Sequence, residues 1–283
     1  MPATVRQTTN FPVVLRELEV LRIRDLTTGM RRITLTGPQL GAADDAAHPP
    51  RQAFTSPGFD DDFRILLPYP GEIEPVLPLI RDGRVTFADG RRPLARAYTV
   101  RRFDPVSLEL DVDVALHGSG IATAWACNVR PGERVHIAGP GLSRELPSET
   151  DWLLIAGDET ALPAIARLLE ELPITASAQV FIEIAEKAHQ QPLRVLPGVL
   201  VTWLPRRGAP AGTTTLLLDA VRTAPWWPGS PFAWIAGEQS TVRALRRHLV
   251  LDRHLPKPRI DFTGYWKHGG DLELEDPDAP VDA

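Results

Sequence analysis

Arg96-Ala97-Tyr98-Thr99-Val100-Arg101 sets two guanidiniums, a phenol and a hydroxyl on one short run. Val100 and Tyr98 favour an extended backbone, and alternation turns Arg96 and Tyr98 to one face and Thr99 to the other. A guanidinium beside an aromatic ring can hold a phosphate and cover a flat heterocycle. Taken alone, the run is equally an exposed antiparallel strand with salt-bridged arginines. Further on, Gly120 precedes a short helix that contains Thr123 and Trp125, and a helix N-terminus offers backbone N–H groups to a phosphate. His117-Gly118-Ser119 stands just before it, at the end of a strand beginning near Asp111. Singly, His117 is an ordinary strand-end histidine and Gly120 an ordinary turn residue. An arginine, a ring and a glycine-led helix start in consecutive elements suit a flavin dinucleotide.

A second group of residues lies beyond residue 150. The run ending at Gly157 passes into Asp158-Glu159-Thr160-Ala161-Leu162-Pro163, and Ala236-Gly237 passes into Glu238-Gln239-Ser240. Strand–turn–helix junctions of this kind are where dinucleotides bind in open α/β sheets. The first lacks Gly-x-Gly-x-x-Gly, and a plain helix cap by Asp158 or Thr160 is the alternative. Arg206 and Arg207 follow another strand, where an arginine can pair with a ribose phosphate or simply solvate a surface.

The elements that must position these groups fall into two kinds. Residues 15–23 and 30–37 alternate with period two around Thr28-Gly29, and further strands are expected at 63–68, 97–103, 108–116 and 134–139. One helix is expected over 121–129, and 41–58 is left as a loop. Such short strands predict a small antiparallel barrel over residues 10–146. From Asp151 the pattern changes to apolar strands at 152–157, 178–184, 199–203 and 232–237, with helices over 160–172 and about 240–251. That alternation predicts a parallel sheet with helices on both faces over residues 150–269. Residues 270–283 are acidic, interrupted by Pro277 and Pro280, and are expected to be disordered.

Composition narrows the classes. The chain of 283 residues is 43% hydrophobic and 24% charged, which suits two globular domains. Its net charge of -5 comes from the tail, since Asp271 to Ala283 hold six acids and no base. The near-neutral body argues against a nucleic-acid binder. Apolar runs are far too short for a membrane span, and Met1 to Arg6 lacks the order of a signal peptide, so a cytoplasmic protein is expected. Cys127 is the single cysteine, which excludes an internal disulfide and a four-cysteine cluster within the chain. Inside a short helix it reads as a small hydrophobe.

Arg96 to Thr99, with the segment from His117 to Trp125, resembles the flavin site of the ferredoxin-reductase superfamily. Adding Gly139-Pro140, Gly157 to Ile165, Trp203 to Arg206, Ala236-Gly237-Glu238 and Gly264-Tyr265-Trp266-Lys267, the chain closely resembles the siderophore-interacting protein family of ferric-siderophore reductases. The resemblance runs from about residue 15 to residue 269. It implies a ferredoxin-reductase-like fold, a six-stranded-type FAD-binding barrel followed by a parallel α/β domain for NADPH or NADH. It implies that Arg96 contacts the FAD phosphates, Tyr98 packs on the isoalloxazine and Thr99 hydrogen-bonds near its reactive nitrogen. Val114, His117, Gly120, Ala122 and Thr123 would line the remainder. Asp158, Thr160 and Glu238 would border the nicotinamide nucleotide, with Arg206 at its ribose phosphate. Two departures stand out: Ile121 replaces a usual proline, and Asp62-Phe63-Arg64-Ile65 replaces a His-Val-Lys-Leu strand.

Chemistry then assigns the roles. Nicotinamide delivers two electrons as hydride and ferric iron accepts one, so a flavin is the natural converter, with no catalytic side chain and no protein-bound metal required. Hard oxygen donors hold ferric iron better than ferrous, so reduction loosens the siderophore complex. A ferric tris-catecholate is anionic, and Arg64, Lys267 and Arg259 are the expected cations for it. For Arg259 the plain surface reading is the stronger. The alternatives are an NAD(P)H:flavin reductase or a ferredoxin-linked reductase on the same fold, with ferredoxin as partner, and a non-catalytic siderophore-binding flavoprotein.

Overall fold

The computed structural model describes residues 6–43, 51–81, 84–87, 90–116 and 120–270. His117 and the tail from residue 271 lie outside the described residues, so the expectations placed on them are not met with a structure. The chain divides into two units, one spanning Gln7–Leu146 and the other holding Arg6 and the described residues from Pro147 onward.

The first unit contains β1 (Thr8–Asn10), β2 (Leu15–Thr27), β3 (Met30–Thr36), β4 (Asp62–Leu67), β5 (Leu79–Arg81), β6 (Arg84–Thr86), β7 (Leu94–Thr99), β8 (Arg102–Asp104), β9 (Glu109–Ala115), helix α1 (Ile121–Asn128), β10 (Arg134–Ala138) and β11 (Leu142–Arg144). Among the described residues, seven strands form one antiparallel sheet in the order β7-β4-β10-β2-β3-β9-β8. Its two outer strands are consecutive in the chain. Only Val100 and Arg101 separate β7 from β8; Val100 N donates to Asp61 O and Arg101 N to Asp111 O. Two edges tied by two residues force the sheet to curl into a half-barrel. The three-residue β8 adds a seventh strand to the six-stranded type expected, and a segment so short carries no period of its own.

Alternation sorts the side chains. On β9, Leu110, Val112 and Val114 enter an apolar cluster with Ile33, Leu35 and Phe63. Each such side chain contributes about 1.5–3 kcal/mol on burial. Asp111 and Asp113 take the other face, where Thr34 Oγ1 donates to Asp111 at 2.6 Å and Arg32 grips Asp113 at 2.6 and 2.7 Å. At one rim the buried Arg16 donates to the carbonyls of Val14, Gln39, Gln52 and Gly139, pinning four segments together. Burial, then nearby Arg51, pushes its pKa down to about 10, which leaves it charged at neutral pH.

The second unit contains β12 (Trp152–Gly157), α2 (Leu162–Glu171), β13 (Ala178–Ile184), β14 (Val199–Pro205), α3 (Leu216–Thr223), β15 (Pro231–Glu238), α4 (Gln239–Leu251) and β16 (Ile260–Trp266). Its parallel sheet runs β14-β13-β12-β15-β16. Helices α3 and α4 cover the face carrying Trp152, Leu154 and Ala156. Helix α2 covers the other: a Cβ on Gly157 would stand 2.5 Å from that of Ala161 and 3.4 Å from Ile165 Cδ1. Strand order turns back between β12 and β15, so their carboxyl ends flank the crevice where open α/β sheets bind ligands. Among the described residues no helix is long and apolar enough to cross a membrane.

Candidate functional site

In the barrel unit, β7 pairs with β4 so that Tyr98 lies opposite Phe63, Arg96 opposite Ile65, Ala97 opposite Arg64 and Thr99 opposite Asp62. Opposed residues share a face. Arg96 and Tyr98 therefore lie on the core side, where Tyr98 packs against the apolar cluster, and Thr99 lies with Asp62 and Arg64 on the other. Alternation holds throughout, with no bend at Thr99. Since β7 is the outermost strand of its sheet, a flat ring laid along its edge is within reach of both faces.

Helix α1 has an extended Gly120 at its N-cap, no side-chain cap and no acid in its first turn. A Cβ at Gly120 would meet nothing within 4 Å. At the other end, Arg31 Nη1 donates to Ala126 O at 2.9 Å and Cys127 O at 3.2 Å, so a cation already occupies the negative pole. The positive pole, with Ala122 and Thr123 half-buried in its first turn, is left to an anion. A helix start with no side-chain cap among the described residues, a guanidinium and an aromatic ring are each the kind of group that suits a dinucleotide with a flat ring. Val114 is a correction in detail: its side chain is in the apolar cluster, so only its main chain could touch a cofactor.

In the α/β unit, buried Asp158 organises the crevice. Its carboxylate accepts from Thr160 N, Thr160 Oγ1, Glu238 N at 2.9 Å and Trp266 Nε1 at 2.8 Å. One side chain thus ties the ends of β12, β15 and β16. Burial pushes its pKa up; the Thr160 and Trp266 bonds oppose that, and Glu159 adds to it. Glu238 caps α4, accepting from Thr241 N at 2.9 Å and from Ser240 Oγ. Burial works against its charge, but the Ser240, Thr241 and His268 bonds outweigh that and hold its pKa below the usual range. Gly237, at φ 141, passes so close that a Cβ would sit 2.7 Å from Asp158 Oδ2. A cavity of about 10 Å³, room for one water, opens among Asp158, Glu183, Gly212, Ala236, Glu238 and Thr241.

Arg206 departs from its expected role. It is buried, and its guanidinium is gripped by Glu159 at 2.5 and 2.6 Å and approached by Glu183 at 3.4 Å. Burial works against its charge, yet Glu159 and then Glu183 hold its pKa above the usual arginine value. Two carboxylates already match this cation, so it is not presented to a ribose phosphate. Glu183 in turn accepts from Thr214 Oγ1 at 2.9 Å. Burial raises its pKa, with Thr214 and Arg206 opposing and Asp158 adding. Arg259 is a second correction. It donates to Ser230 O, Pro231 O and Glu149 O at the start of β15, the end of the sheet opposite the crevice. Arg64 is exposed on β4, and half-buried Lys267 follows β16 at its carboxyl end.

Glu159, Glu183, Thr214 and Trp266 were not read as site-building residues from the sequence. Glu183 did leave a signal, as a lone charge in the apolar strand Phe181-Ile182-Glu183-Ile184. The others belong to a network that only tertiary structure assembles.

Comparison with known proteins bears on both units. Residues 19–144 match the family described as Siderophore-interacting FAD-binding domain, and residues 150–269 match Siderophore-interacting protein. The chain is 30% identical over 269 residues to the NADPH-dependent ferric-chelate reductase of Escherichia coli (strain K12), covering 94% of this chain and 96% of that one. It is 30% identical over 265 residues to the ferric vibriobactin reductase ViuB of Vibrio cholerae, covering 91% of each. A siderophore utilization protein from T. fusca superposes with a TM-score of 0.83 at 35% identity, over 94% of this chain and 97% of that one.

Proposed function

The chain belongs to the siderophore-interacting protein family, and from that premise we propose that it reduces siderophore-bound ferric iron, using FAD and NAD(P)H. The observation that carries this reading is a relationship to ferric reductases that spans both units, one with a dinucleotide-type donor set and the other with a switch-point crevice. When bound, FAD supplies the conversion between a two-electron donor and a one-electron acceptor.

The work of the side chains is positional. Arg96 and the uncapped start of α1, with Gly120, Ala122 and Thr123, would hold the pyrophosphate by charge and by N–H groups. Tyr98 would cover the isoalloxazine, and Thr99 would reach its rim from the other face of β7. In the α/β unit, Asp158 fixes Glu238, Thr160 and Trp266 in place, so the crevice is shaped before a nucleotide enters. Pre-organisation of this kind spares the ordering cost on binding. Arg64 is the barrel unit's candidate cation for the ferric complex, and Lys267 the α/β unit's.

Reconstitution tests the reading. Protein incubated with FAD and freed of excess should retain about one flavin per chain, and that flavin should bleach with NADPH or NADH under anaerobic conditions. A chain that takes up no FAD overturns it.

A further inference from the structure

The side of the barrel that carries Arg64 is not a simple cationic patch. Arg64 and Asp62 stand two residues apart on β4, so both project to one face about 7 Å apart. Across from them on β7 lie Ala97 and Thr99. Ala97, Arg64 and Asp62 are exposed, and Ala97 has no bulk with which to cover Arg64. Half-buried Asp60 and Arg144 complete the surroundings. Part of Asp62 is open to solvent, yet protein crowds its carboxylate enough to raise its pKa, with Arg64 opposing, Asp60 adding and Arg144 opposing. Arg64, Asp60 and Arg144 therefore all act on the Asp62 carboxylate. Asp61, between them, is buried and accepts from Ser56 Oγ at 3.0 Å and Gly58 N at 2.9 Å. Two arginines thus face two exposed or half-exposed carboxylates, and a third lies beneath. Arg259, expected to add positive charge, is instead engaged by the carbonyls of Glu149, Ser230 and Pro231.

We propose that Asp62, with Asp60, offsets the barrel unit's cations at the acceptor site, so that Arg64 gives triply negative tris-catecholates no charge advantage and ferric complexes that are neutral or singly positive, the trihydroxamate class, bind at least as well. This rests on the reductase reading and on Arg64 facing the complex. An arginine alone would attract the trianion strongly. Asp62 at similar distance cancels that attraction for any complex large enough to span both side chains. The smaller the net charge of the complex, the less the cancellation matters.

Binding of redox-inert gallium(III) complexes to the FAD-loaded protein tests this apart from reduction potential. Gallium desferrioxamine B is singly positive and gallium tris-catecholate triply negative, and titration calorimetry reads both. The wild-type protein should bind the trihydroxamate at least as tightly as the tris-catecholate. Asp62→Asn should strengthen tris-catecholate binding by about three- to tenfold at physiological salt. It should weaken the trihydroxamate by only about the cube root of that factor, since the charges differ threefold in size and oppose in sign. Asp60→Asn, a second variant, should shift both in the same directions by less. A wild-type preference for the trianion, or an Asp62→Asn effect of the same sign on both complexes, overturns the inference while leaving the reductase reading intact. If neither gallium complex binds and neither iron complex is reduced, both fall together.

Discussion

Replacing Arg206 separates two accounts of this residue. If it is internal, as its contacts indicate, Arg206→Ala leaves Glu159 and Glu183 facing each other without their shared cation. Their side chains are only 14% and 8% exposed, and that of Arg206 is 4% exposed. Removing one partner of a pair so buried costs about 3–5 kcal/mol. Glu183, whose pKa already lies above the usual range, would rise further and take up a proton, which limits the loss toward the lower figure. Urea unfolding followed by tryptophan fluorescence reads the result. Trp152, Trp203, Trp226, Trp227, Trp234 and Trp266 all lie in the α/β unit, and Trp125 alone lies in the barrel. With a slope of about 1–3 kcal/mol per molar urea, the midpoint should fall by about 2 M. Arg206→Lys keeps the charge but loses the two-pronged grip, and should cost about 1–2 kcal/mol. In both variants the ratio of kcat/KM for NADPH to that for NADH should stay within about twofold, since the lost interaction is internal to the protein. An unchanged midpoint with a selective loss of NADPH would refute the reasoning and return Arg206 to the ribose phosphate.

The remaining predictions concern the crevice and the flavin. Glu183 has a raised folded pKa, so it binds protons more tightly when folded; its contribution is greatest at low pH and is lost as pH rises through that value. The stability of the wild type relative to Glu183→Gln should therefore grow as pH is lowered from neutrality toward the ordinary glutamate range, and a pH-independent difference in urea midpoints would count against it. Gly237→Ala places a Cβ 2.7 Å from Asp158 Oδ2 at φ 141, and should destabilise the α/β unit by about 2–4 kcal/mol in the same assay. A wild-type midpoint would mean that Asp158 has room to move. Arg96→Gln should weaken FAD binding by about 10- to 100-fold, as expected for losing a charge-assisted phosphate contact, and flavin fluorescence on titration would show it. Wild-type affinity would place the phosphates elsewhere.

Both architectures were legible because their cores alternate or run apolar over enough residues: Leu110, Val112 and Val114 on β9, and Trp152 to Gly157 on β12. The three-residue strands β1, β5, β6, β8 and β11 were not, since three residues show no period, and α3 opens on the run Leu216-Leu217-Leu218, whose apolar residues lack helical spacing. At the site, Asp158 and Glu238 were recognised by their place after strand ends. Their tasks were not, because the partners are distant in sequence. Trp266 reaches Asp158 across 108 positions, and Glu159 reaches Arg206 across 47. Arg206 and Arg259 show the same limit from the other side: a cation near a junction looks available until its carboxylates or carbonyls are in view. Thr99 presented the reverse case. Alternation set it against Tyr98, and the edge position of β7, which the proposed flavin contact of both residues needs, is a matter of sheet order that the sequence does not show.

The central claim is most directly tested by a two-stage anaerobic stopped-flow experiment on the FAD-loaded protein. NADPH or NADH is mixed first and flavin absorbance followed. The reduced protein is then mixed with ferric desferrioxamine B in the presence of a ferrous chelator. The account predicts rapid bleaching, then return of oxidised flavin in step with chelated ferrous iron, about two per flavin, since each reduced flavin holds two electrons. Flavin that bleaches but is not reoxidised by the ferric complex, or reoxidises without ferrous iron appearing, would contradict it.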